Sequence, residues 1–177
     1  MNKLIISIAA ILIFCEANAS NENSNKYNAI ICYLMTDSIV KNKLFSITDD
    51  KYVVNHFNEN LNIIKYLFPF QAFPFYDSLN KRLDSNEISE LLNVNNITYD
   101  SININSIRCV KSNKNAPFEL SFSNEKKHLI EVYIQYAMKK KNKHGKYYNV
   151  KSNTFLEILY EINDNKITNL STRVLIQ

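Results

Sequence analysis

TFLEILYEINDNKITNLSTRVLIQ, from Thr154 to Gln177, reads as two strands around a turn. Leu156, Ile158, Tyr160 and Ile162 alternate with Phe155, Glu157, Leu159 and Glu161, the period of a strand with one buried face. Asn163-Asp164-Asn165 supplies turn residues, and Ile167 to Ile176 returns as the last strand. The same period continues upstream. Ile130, Val132, Ile134, Tyr136 and Met138 face one way, with Glu131, Tyr133 and Gln135 opposite. Phe118, Leu120 and Phe122 alternate with Glu119, Ser121 and Ser123. Ile102 and Ile104 fall out of phase with Ile107 and Cys109, which predicts a first strand interrupted by a bulge.

Before about Asn93 the period is helical. Tyr27, Ile30, Ile31, Leu34, Met35 and Ile39 form a stripe over about 26–43. Thr48-Asp49-Asp50 offers caps for a second helix, whose stripe is Val53, Phe57, Leu61, Ile64, Leu67 and Phe68 and which Pro69 ends. A short helix near 76–83 follows. Asp84 with Glu87 reads as a capping box that starts one more helix through about Leu92. Three or four helices before four or five strands is an α+β order. The expected architecture is a single domain over 20–177, its N-terminal helices packed on one face of a curved antiparallel sheet.

This order, with the long closing hairpin, resembles the NTF2-like or cystatin-like superfamily of cone-shaped folds. The resemblance covers roughly Lys26 to Gln177. Many of that group end in a Gly-x-Trp hairpin; here Asp164-Asn165-Lys166 stands in that place and tryptophan is absent. The resemblance implies a cone-shaped fold that hosts enzymes, ligand binders, assembly modules and immunity proteins alike, so function has to come from a site.

The N-terminus carries its own signal. Lys3 precedes the apolar run Leu4–Phe14, too short for a membrane span, and Ala17-Asn18-Ala19 has the small-x-small form that a signal peptidase cuts. Residues 1–19 are therefore expected to be a signal peptide cleaved between Ala19 and Ser20, and the protein to work in the periplasm or outside the cell. Bulky Phe14 before Cys15 argues against a lipid-anchored cysteine. No later run is apolar enough for a membrane helix, so an integral membrane protein is not expected.

Composition removes several chemistries. Gly145 is the only glycine, where average usage would give about twelve. Phosphate loops, dinucleotide fingerprints and nucleophile elbows all need glycine for close approach or positive φ, so none is expected. Asn is left to make most tight turns. The net charge of +4 is too modest for a nucleic-acid face. His56, His128 and His144 show no ligand spacing, and no acidic cluster supplies an oxygen cage, so neither metal nor cofactor is expected.

Cys32 and Cys109 remain after cleavage. An even pair in an oxidising space suggests a disulfide, with two small buried thiols as the alternative. Two stretches could bind. Tyr66 to Tyr76 is rich in rings, among them Phe68, Phe70, Phe73, Phe75 and Tyr76, which either complete the core or rim a binding surface. Lys139, Lys140, Lys141, Lys143 and Lys146, with His144, form the densest charge run. They read either as a solvated hairpin tip that discourages aggregation or as a contact for something anionic.

These features point to an exported, non-enzymatic binding protein whose partner is another protein, of the immunity or inhibitor kind. Two further readings stand beside it. One is a small-ligand binder with a cone-shaped apolar pocket lined by the Phe/Tyr segment. The other is a small acid/base enzyme that uses His56, whose sign would be a charged pocket reached by His56 or Asp37.

Overall fold

The computed structural model describes residues 25–48, 51–93, 101–145, 147–163 and 166–176. The leader with Ala19, Ser20 and Cys15, the Asp49-Asp50 caps, the Asp164-Asn165 turn residues and Lys146 lie outside them.

The protein has an α+β fold, with its helices N-terminal to a five-stranded sheet. Helix α1 covers 25–34 and α2 runs Ser38–Thr48; α3 is Lys51–Asn55, α4 Tyr76–Leu79 and α5 Ser85–Leu92. The strands are β1 Leu61–Ile63, β2 Phe118–Phe122, β3 Leu129–Lys141, β4 Tyr147–Asn163 and β5 Lys166–Ile176, in spatial order β1-β2-β3-β4-β5. β2 to β5 pair antiparallel, while β1 adds to β2 in parallel, so the sheet is mixed.

The single helix expected over about 26–43 is two helices. Thr36 N and Asp37 N both bond back to Tyr33 O at 2.9 and 3.0 Å, ending α1. Asp37 then caps α2, its Oδ1 accepting from Ile39 N at 2.9 Å and Val40 N at 3.3 Å. The capping box is present as read: Asp84 Oδ1 accepts from Glu87 N at 2.8 Å, and Glu87 Oε2 accepts from Asp84 N at 2.9 Å.

Two expectations fail for one reason. The helical stripe from Val53 to Phe68 stops at Asn55, and Leu61–Ile63 is a strand instead. Ile64 N and Phe68 N then donate to Leu120 O and Phe122 O at 2.8 and 3.0 Å, which keeps the chain on the edge of β2. The expected first strand near Ile102–Cys109 is a short 3-10 turn, Ile104–Ser106, with Ile102 N bonded to Lys65 O at 2.8 Å. The open edge of β2 accepts an upstream segment whose local pattern favours a helix, because sheet hydrogen bonds and burial outweigh a weak propensity.

The main core lies between α1, α2 and the inner sheet face. Ile30, Leu34, Val40 and Leu44 meet Phe118, Leu120, Val132, Ile134, Leu156 and Ile158, all buried. Each such side chain contributes about 1.5–3 kcal/mol relative to exposure. Cys32 and Cys109 form a disulfide with a Cα–Cα distance of 5.4 Å, tying α1 to the segment after residue 101.

The turn into β3 departs from the expectation that Asn would make the tight turns. Lys126 and Leu129 exchange both backbone hydrogen bonds at 2.9 Å, and the two residues between them, Lys127 and His128, have φ of 50° and 64°. Lys126 Nζ reaches from this turn to Leu91 O and Asn93 O at 2.8 and 2.7 Å, satisfying carbonyls at the end of α5.

Candidate functional site: a cleft on the outer sheet face

The inner sheet face is occupied by helices, and the outer face carries the polar chemistry. Strand register aligns one row across four strands there: Ser121 opposite Tyr133, Tyr133 opposite Glu157, and Glu157 opposite Arg173. The neighbouring row is Glu119, Gln135, Phe155 and Leu175.

The chain between β1 and α4 supplies the lid over part of this face. After Phe68 it crosses the sheet, burying Phe70, Ala72 and Phe75 with Leu79, Leu91, Leu129 and Leu159 in a second, smaller core. Where the cover ends, an open cleft of about 530 Å³ remains, walled by Phe68, Pro74, Tyr133, Phe155 and Leu175 with Gln71, Gln135 and the Glu157–Arg173 pair. The ring of Tyr133 lies 4.8 Å from Phe68 and 5.6 Å from Phe155.

Glu157 is buried, and two groups compensate its charge. Tyr133 donates its hydroxyl hydrogen to Oε1, and the Arg173 guanidinium is ion-paired with Oε2 through Nε and Nη2. Arg173 also rests on the Phe75 ring, its guanidinium carbon 4.8 Å from the centroid. Burial first, then its hydrogen bond to Glu157, pushes the Tyr133 phenol far above its usual range.

Glu131 lies beneath the crossing segment and is fully buried. Gln71 N donates to its Oε1 at 2.9 Å, while Oε2 has no hydrogen-bond partner among the described residues. Burial pushes this carboxyl up to about 8, and nearby Glu157 adds to the rise; the Gln71 N–H and Arg173 oppose it. At neutral pH the group therefore keeps its proton.

The residues named from sequence disperse. Phe68 lines the cleft, whereas Phe70 and Phe75 are core. Phe73 is 79% exposed, and Tyr76 43%. Lys139, Lys140 and Lys141 lie at the far end of β3, and Lys143 is exposed in the following turn. His56 stacks on Tyr52 and its Nδ1 is 2.9 Å from Tyr52 O. Asp37 is committed elsewhere: besides capping α2, its Oδ2 accepts from Asn169 Nδ2 at 2.7 Å and Tyr160 OH at 3.4 Å. Neither reaches the cleft, and no contact joins one to the other.

Sequence reading missed Glu131, Tyr133, Glu157 and Arg173. The available signal was that Glu131 and Tyr133 share one strand face and Glu157 sits on an outward position. Nothing local said that this face would be covered. Among known proteins, the chain matches no family model, no curated protein and no solved structure.

Proposed function

We propose that this is an exported, non-enzymatic binding protein that holds another protein at the outer-face cleft. One observation carries the reading. Three ionisable groups of the cleft are committed to one another, Glu157 to Tyr133 and Arg173; Glu131 lies beneath the crossing segment, and Glu119 lines the cleft from β2. A general base needs a lone pair within reach of substrate, and groups bound to each other serve better to hold a surface rigid. The lining sets aromatic and apolar side chains and a half-exposed arginine, types that dominate binding energy at interfaces, among the polar groups of Gln71, Glu119, Ser121 and Gln135. An immunity or inhibitor protein that caps a toxin or hydrolase fits this mode. Export rests on the leader at 1–19, and the Cys32–Cys109 disulfide is compatible with an oxidising compartment. Helices placed before the sheet support the kinship to NTF2-like folds as part of the same proposal.

A photocrosslinking residue at Leu175, in the cleft, tests it against one at exposed Lys41 on α2, across the sheet. In envelope extract a discrete protein adduct is expected from position 175 and none from 41. Equal adducts from both, or turnover of a substrate by the purified chain, defeat the proposal. A small ligand is the second reading, favoured by a cleft volume within the range of small-molecule sites; it predicts a bound metabolite on native extraction and no adduct.

A further inference from the structure

The β3–β4 hairpin outruns its neighbours. β2 leaves β3 at the Phe118–Tyr136 pair, and β5 leaves β4 at Ile176–Thr154. Beyond these, Ala137 N still donates to Pro117 O at 2.7 Å, and Met138 to Lys141 pair only with Tyr147 to Val150 among the described residues, as a two-stranded arm. Lys139 stands opposite Asn149, Lys140 opposite Tyr148 and Lys141 opposite Tyr147.

Charge is distributed to match. Between Glu131 and Glu157 lie six of the chain's 21 basic residues and none of its 17 acidic ones. That excess is larger than the net +4 of the whole protein. A lone two-stranded ribbon is marginal in water, and crowding like charges on it weakens it further. One or two lysines would protect an edge. Six with no acidic residue in the same stretch of sequence suit an anionic partner.

Every basic residue of the arm is lysine. Lysine is a compact, hydrated point charge that lacks the fork by which arginine fixes shaped partners, and it is depleted at protein–protein interfaces. It suits a diffuse anionic surface. Tyr147 and Tyr148 add the amphipathic ring type enriched at membrane–water boundaries. We propose that the β3–β4 arm docks the protein on the anionic lipid headgroups of a bilayer, as a peripheral contact distinct from the outer-face cleft.

The test is co-sedimentation of the full chain with phosphatidylcholine vesicles, with and without phosphatidylglycerol. An apolar leader contributes to both, so the readout is the increment that the anionic lipid adds. The increment is expected to fall with added salt and to weaken about fivefold for each lysine removed. A chain carrying Lys139→Gln, Lys140→Gln, Lys141→Gln and Lys143→Gln should lose it, while Lys41→Gln with Lys43→Gln on α2 should keep most of it. Equal partition to both lipids, an increment indifferent to salt, or retention by the fourfold variant overturns the proposal. So does capture by DNA or an acidic protein with no anionic-lipid increment.

Discussion

Arg173 meets Glu157 twice, as its cross-strand neighbour on β5 and as the ion-pair partner of its carboxylate. The carboxylate side chain is 1% exposed and the guanidinium 34%, so the pair joins a buried charge to a half-solvated one. Glu157 would otherwise be a charge stranded on the sheet. Removing the arginine costs more than removing both partners, because the stranded group pays the desolvation penalty alone.

Arg173→Met is accordingly expected to destabilise by about 2–3 kcal/mol, with Glu157→Gln in the same chain restoring most of it. Urea unfolding of wild type, both single variants and the double variant measures the coupling. Purely additive losses would mean that the pair contributes nothing as a pair.

Glu131 makes stability depend on pH with an unusual sign. Its carboxyl is raised from 4.5 to about 8 in the folded protein. Between those values the native state binds a proton that the unfolded state has lost. Stability from this group is therefore complete below pH 4.5 and declines as pH rises towards 8, by about 1.4 kcal/mol per unit. Glu131→Gln keeps an acceptor for the Gln71 N–H and removes the titration. Denaturation midpoints from pH 5 to 9 should fall for wild type and stay flatter for the variant.

Closing a loop of 77 residues, the Cys32–Cys109 disulfide should contribute about 4.5 kcal/mol on the chain-entropy account. Reductant is expected to lower the urea midpoint of wild type by a corresponding amount. Cys32→Ala with Cys109→Ala should start at the lower midpoint and ignore reductant.

The Lys127–His128 turn holds two residues with side chains at positive φ, where glycine or asparagine is preferred. His128→Gly is expected to stabilise by about 0.5–1 kcal/mol, since the lost pairing with Glu125 involves an imidazole that is 67% exposed. Thermal unfolding checks the sign: a lower midpoint would show that the histidine contact outweighs the backbone preference.

Periodicity alone determined which residues share a strand face, that helices precede the sheet, and where the Asp84–Glu87 box begins α5, because alternation and capping are local properties of the chain. The tertiary structure decided the rest. A regular hairpin closed at Asn163–Lys166 would set Thr172 opposite Glu157. An irregularity, with Leu170 as the extra residue on β5, brings Arg173 there instead. Leu61–Ile63 became a strand only because β2 offered an open edge. The alternation around Glu131 and Glu157 placed both carboxylates outward, and outward means solvated until something covers it. The cover comes from Phe70 to Phe75, some sixty residues upstream of Glu131. Burial depends on such long-range packing, and a strand's own pattern holds no record of what crosses over it.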